Sequence, residues 1–598
     1  MLFALARIKK RIPIGVAGAV VAVFYLYLLN AQSPLGKLSA VFIFLYLWGI
    51  FSLAAFAACD RLLSPRLADY PTSWRRLWLA GCLAAGLWLA NNIPILFVKP
   101  LAVPFPPPVL QKIIFLSSAG FTVGLLLFTL SVLLAARQSA EQQPAKMRRF
   151  RWALYALPML LAWLVYLLAY WPGMMSADSL NQWGQALSGH FNDHHPASHT
   201  FIIWLLVRIY PSPALVALTQ ILALALVSGY ILGFFETQGV PKPFLWIASL
   251  VFALSPVNGT MVNTLWKDVF YSAALLGFTF LVYRVGISRG RWLENPWNAI
   301  LLGLTGVLMS SFRHNGWPIV VGVLLLLLLL YWRFWSRIAI AAAVFAGSVF
   351  IIRGPIYRLV NVTTQGVYEK FIPSLFSLYS LAAEADPGSY AETVIQSIRP
   401  FSGNWSCDLT APYQAVQQMD GSGQEENIFQ KGINLISRSP NLMYYYYTCR
   451  RAFSWIVWDP YGFIDNTSHT RYLVDPNPYG IVPASKLPAV RERVSEFVYW
   501  SSLDNQISWL VWRPALYLYL FLFTIAVQVL KYRDWKLFIA SAPLVLQAIG
   551  FTLLFTMLNF RLQYAVYLAA LLFWPLLFAP RFVQPAQASA EAHPDQAG

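Results

Sequence analysis

"RWALYALPMLLAWLVYLLAYWPGMMSADSLNQWGQALSGHFNDHHPASHT", residues 151–200, decides how this chain reads. The first twenty residues carry one charge, Arg151, and are long enough to cross the roughly 30 Å hydrocarbon core of a bilayer. The thirty that follow hold Asp178, Asp193 and four of the seven histidines (His190, His194, His195 and His199), with no lysine or arginine. A membrane-spanning run thus opens directly onto a polar island.

The same alternation runs through the chain. It is 58% hydrophobic and only 11% charged over 598 residues. Apolar runs near 13–30, 38–58, 77–97, 113–135, 152–170, 211–235, 244–262, 266–284, 298–312, 317–332, 338–352, 514–530, 537–556 and 562–579 predict about fourteen transmembrane helices. The fold class expected is an all-α polytopic membrane protein. The basic, apolar N-terminus lacks a small-residue cleavage site and reads as an uncleaved first span. The net charge of +18 has an ordinary cause in cytoplasmic loops rich in Lys and Arg. No basic run interleaved with aromatics offers a nucleic-acid surface.

Charge distribution tests the threading. With residues 1–12 cytoplasmic, the inward connections and Arg284 carry 23 of the 43 Lys and Arg, and the short outward ones carry four. That is the bias expected of a multi-pass protein of the bacterial inner membrane with both termini in the cytoplasm. On this threading the stretch 171–199, "WKD" at 266–268, "RHNG" at 313–316, the segment 353–513 and "NFR" at 559–561 share the extracytoplasmic side. The domains expected are an N-terminal four-helix membrane region (1–150), a catalytic membrane core (151–352), an inserted outward-facing mixed soluble domain (353–513), a C-terminal three-helix region (514–580) and a disordered tail (581–598). Cys407 and Cys449 lie in the outward domain, where an oxidising compartment favours a disulfide between them.

Several polar groups at that face can carry chemistry. Pro172 and Gly173 end the span, and Ser176 or Asp178 can cap a helix whose apolar face holds Leu180, Trp183, Ala186 and Leu187. Asp178 then stands at an interfacial helix N-terminus. Asp193, His194, His195 and His199 fall within seven residues; the HExxH spacing of a zinc site is absent, and the readings open to them are a metal site, substrate binding, carboxylate orientation or loop packing. Lys267 and Asp268 sit at a helix mouth. Arg313, His314 and Asn315 form a very short connection, and Arg561 begins the last helix. Arginines so placed need partners, and a phosphate suits the guanidinium fork.

The order of these pieces, the stretch 172–200 followed by "LWKD" and "RHNG", resembles the GT-C superfamily of integral-membrane glycosyltransferases, in a little-characterised bacterial branch. The likeness covers roughly 150–352 and, more loosely, the last helix through Arg561. It implies an inverting transfer of a hexose or pentose from a polyprenyl-phosphate-sugar donor to an extracytoplasmic glycan, lipid or protein acceptor of the cell envelope. It also implies Asp178 as general base, His195 or Asp193 as the residue that orients the acceptor or the base, and Lys267, Arg313 and Arg561 as phosphate-binding cations. Asp268 would position Lys267 or contribute to a metal site. GT-C enzymes use a divalent cation in some members and not in others, so magnesium or manganese is admitted as a cofactor. Here the soluble segment is inserted before the last three helices, whereas many relatives carry it at the C-terminus. The other readings open to the residues are an O-antigen-type polymerase or ligase, a lipid-linked glycan transporter with polar groups along a path through the bilayer, and a non-catalytic scaffold.

Overall fold

The computed structural model describes residues 70–92, 108–135, 139–140, 150–364, 454–455, 457, 473–504, 507–554 and 559–582, with isolated positions before residue 50. The expected first two spans, the bulk of the outward domain, Cys407 and Cys449, and the tail beyond 582 lie outside the described residues. The chain divides into two compact units, one of residues 1–140, 526–533 and 583–598 and the other of residues 141–525 and 534–582.

In the first unit, α1 (Thr72–Asn92) packs along α2 (Pro108–Ala135). Their backbones approach so closely at Gly86 that a Cβ there would lie 2.1 Å from the carbonyl oxygen of Gly120, so this crossing requires glycine. Trp78 Nε1 donates to Ser131 Oγ at 2.9 Å, and Tyr70 Oη to the Leu530 carbonyl at 2.8 Å.

The second unit is helical throughout its described core. The helices are α3 (Arg151–Ala169), α4 (Ala177–Ser188), α5 (Ala197–Ile209), α6 (Pro213–Thr237), α7 (Lys242–Leu254), α8 (Pro256–Asn263), α9 (Lys267–Ile287), α10 (Pro296–Phe312), α11 (Gly316–Leu330), α12 (Trp335–Ile351), α13 (Pro488–Leu503), α14 (Pro514–Tyr532, whose last turns belong to the first unit), α15 (Ala542–Leu554) and α16 (Tyr564–Phe573). Among the described residues, seven helical segments are long and apolar enough to cross a membrane, or eight if the bent pair α7–α8 counts as one. That is the construction of a helical membrane protein.

One expected span differs from the sequence reading, and three further apolar helices are short. The run 244–262 is not one helix, because it bends by 56° between α7 and α8. Pro256 has no N–H to continue the ladder, and Ser255 instead caps α8 by accepting from the Asn258 amide. Next, α10 and α11 have 17 and 15 residues. At about 1.5 Å per residue they reach only roughly 25 and 22 Å, less than the hydrocarbon thickness. Finally, the apolar stretch after His199 forms α5, a helix of 13 residues too short to span, which folds back against α4.

The centre of the unit is α9, in which only Phe270, Gly277, Arg284 and Ile287 are not buried. The C-terminal region is no separate body, since Phe573 of α16 packs its ring against Phe235 and Tyr283, with centroids 5.1 and 5.8 Å apart. At one end of the helices Arg151 pairs with Glu236 at 3.2 Å and Arg289 with Asp534 at 3.3 Å. The opposite end gathers the start of α4, the start of α9, the α10–α11 connection and the start of the last helix.

Candidate active site

The polar island is held as an extended strip before it turns helical. Met174 N donates to Asn263 O at 2.9 Å, and Leu265 N to Met174 O at 3.0 Å. On the other edge Met175 N donates to Leu473 O and Asp475 N to Met175 O, each at 2.9 Å. Buried backbone groups of residues 174–175 are thereby satisfied from both sides, and the entry into α4 is fixed. Ser176 occupies the N-cap position, but its hydroxyl accepts from Trp266 Nε1 at 2.8 Å rather than capping the helix. Asp178 does not cap it either. Leu180, Trp183 and Ala186 turn inward as the helical spacing predicts, whereas Leu187 is 51% exposed. Gly189, at φ 75°, closes α4 in the left-handed conformation that glycine adopts without strain.

Asp178 faces two cations and a histidine, each on a different element. Arg561 Nη1 donates to its Oδ2 at 2.8 Å, His195 Nε2 lies 3.6 Å from Oδ1, and Lys267 Nζ stands 4.0 Å from Oδ2. Lys267 Nζ also lies 2.8 Å from His195 Nδ1. An ammonium can only donate, so Nδ1 accepts and the imidazole proton is left on Nε2, toward Asp178. Burial by itself would raise the Asp178 carboxyl. Arg561, then the His195 hydrogen bond and the Lys267 charge, outweigh it and hold the group well below the usual carboxylate range. Burial, followed by the charge of Lys267, pushes His195 down to about 4, so the imidazole is neutral at pH 7. The Arg561 guanidinium sits 4.7 Å from the Trp266 ring centroid, a cation–π contact that fixes its height.

Arg313 and Asp268 form a direct ion pair, with side chains 8% and 2% exposed. Arg313 Nε donates to Asn315 Oδ1 at 3.2 Å, and the guanidinium lies 5.5 Å from the Tyr271 ring centroid. Asp268 therefore pairs directly with Arg313, and the charge of Lys267 acts on it from farther away. Two carboxylates, Asp178 and Asp268, stand among three cations, Lys267, Arg313 and Arg561. This excess of positive charge in a poorly hydrated place suits an anion.

The other histidines go elsewhere. Asp193 accepts from Tyr357 Oη at 3.0 Å and from the Ala197 amide at 3.4 Å, which closes the turn into α5. His314 Nε2 lies 3.0 Å from the Asp193 carbonyl, and Arg353 Nη2 donates to His314 Nδ1 at 3.1 Å. This second network braces the loop around Asp193. His199 is fully buried, with Nδ1 3.0 Å from Gln182 Oε1. His194 is exposed and meets the His195 ring edge-on at 4.8 Å.

Each carboxylate already gives one oxygen to an arginine, Asp178 Oδ2 to Arg561 and Asp268 Oδ1 to Arg313, which lowers what the pair offers to magnesium or manganese. Among the described residues, no group of three or more His, Cys, Asp or Glu converges.

Sequence reasoning missed Trp266, Tyr271, Arg353, Tyr357 and Gln547. Gln547 had a visible signal, a lone amide in the apolar run "PLVLQAIGF" of residues 543–551. No protein-family model, curated protein or solved structure matches this chain.

Proposed function

We propose that this chain is an integral-membrane glycosyltransferase of GT-C type, moving a sugar from a polyprenyl-phosphate donor to an acceptor hydroxyl. The observation that carries the reading is the Asp178 carboxylate, 2.8 Å from Arg561 and within 4.0 Å of Lys267, at the mouth of apolar helices. A donor of this kind keeps its phosphate at headgroup height and its tail in lipid. The proposal includes the fourteen-span threading, the bacterial inner membrane and an extracytoplasmic site.

In the reaction the acceptor oxygen attacks the anomeric carbon, the bond from that carbon to the phosphate oxygen breaks, and the configuration inverts. The acceptor proton passes to Asp178, a contribution of about 10²–10⁴ in rate for a positioned base. The polyprenyl phosphate leaves with the bonding electron pair, stabilised by Arg561, Lys267 and, deeper, Arg313. Free, the site is occupied by its own counterions. An arriving phosphate draws Arg561 and Lys267 away from Asp178, which raises the proton affinity of the carboxylate when a base is needed. His195, held in one tautomer by Lys267, orients Asp178.

The test follows a labelled polyprenyl-phosphate-sugar pool in membrane vesicles from cells with and without the chain, the rest of the pathway intact. The reading expects chain-dependent loss of label from the lipid and its appearance in an acceptor with inverted anomeric configuration. Label that stays on the lipid and changes leaflet would instead establish transport.

A further inference from the structure

Gln547 of α15 is buried, with 1% exposure, inside an apolar helix. Its Oε1 accepts from Tyr271 Oη at 2.7 Å and from Asn315 Nδ2 at 3.1 Å, and its Nε2 donates to Leu562 O at 2.8 Å. These partners lie on three separate elements: the first turns of α9, the α10–α11 connection and the start of the last helix. Each of the three touches or adjoins an arginine of the site. Tyr271 lies under the Arg313 guanidinium, Asn315 accepts from Arg313 Nε, and Leu562 follows Arg561 in the chain.

We infer that Gln547 is a positioning residue that sets the spacing of Arg313 and Arg561 for a phosphate. An apolar side chain would fill the space as well, and a carboxylate would accept from Tyr271 and Asn315 but repel the Leu562 carbonyl. The amide accepts through one atom and donates through the other, which meets all three partners at once. Buried amide networks that are fully satisfied hold their neighbours to one geometry, and the arginine fork recognises phosphate only when so held.

This role rests on the glycosyltransferase reading. The test compares binding of undecaprenyl phosphate and of undecaprenol, its neutral alcohol, to the full-length protein in detergent micelles. Wild type should prefer the phosphate. Gln547→Leu should cut that preference about tenfold, the scale of two lost hydrogen bonds, and leave undecaprenol binding unchanged. Thr552→Val, which removes the hydroxyl bonded by Trp455 on the same helix, should leave the preference intact. If Gln547→Leu does not accumulate, Tyr271→Phe gives the same readout at about two- to threefold. Equal weakening of both ligands, or no change, overturns the positioning role while the phosphate site stands. A wild type with no preference overturns the phosphate site itself.

Discussion

Arg561→Gln should move the acid limb of activity without dismantling the site. Arg561 is the largest favourable influence on the Asp178 carboxylate, at 2.8 Å, with side chains only 15% and 26% exposed. An arginine in such a place depresses an aspartate by about 1–3 pH units. Each pH unit is worth about 1.4 kcal/mol, so the contact accounts for about 1.4–4 kcal/mol of preference for the ionised form. The sign follows from the direction of the shift. A depressed carboxyl adds stability that is present above its unfolded-state pKa and is lost as pH falls through the folded one. In wild type, kcat/KM should therefore be flat from about pH 7 down to about 5, because Asp178 stays ionised throughout. In Arg561→Gln the burial that opposes ionisation is no longer outweighed as strongly, and the limb should rise by about 1–3 pH units. Arg561→Lys, which keeps the charge but not the fork, should fall between. The assay is sugar transfer measured at subsaturating donor across pH 4.5–8, scored on the position of the limb because its height also reflects donor binding. A limb in Arg561→Gln that coincides with wild type would refute the electrostatic account of Asp178.

The remaining predictions concern stability and the two neighbours of that pair. Asp268→Asn leaves the buried Arg313 guanidinium without its carboxylate, so the protein should lose about 3–5 kcal/mol, read as a lowered Tm in detergent; an unchanged Tm would show that the pair carries no load. His195 is neutral in the fold with a pKa of about 4 against 6.5 unfolded. Unfolding therefore takes up a proton between these values, and stability should fall by up to about 3 kcal/mol as pH drops through that window. His195→Gln should flatten the dependence of Tm on pH between 6.5 and 4, and a persisting slope would assign it to another group.

Much of the site was legible because charge is scarce here. In a chain 11% charged, Asp178, Lys267, Arg313 and Arg561 announce themselves at the ends of apolar runs. Their pairing was not legible. Arg561 and Asp178 are 383 residues apart, and only the packing of the last helix against α9 brings them together. Asp268 lies beside Lys267 in sequence, yet successive helical residues point about 100° apart, and it turns to Arg313 instead. Asp193 and His195 share one loop, but their side chains diverge across it to different networks. The break at Ser255–Pro256 had its proline in plain view and was hidden by apolar residues on both sides. Gln547 shows the limit most clearly, since an amide in a span signals a role but only its three partners say which.

The central claim is that Asp178 takes the acceptor proton. The most direct measurement is single-turnover sugar transfer by Asp178→Asn beside wild type, with folding matched and undecaprenyl-phosphate binding measured on the same samples. Asparagine keeps the shape and removes the base, so transfer should fall by about 10²–10⁴ with the lipid still bound. Transfer at the wild-type rate would contradict the account and leave Asp178 as a counterion of Arg561 alone.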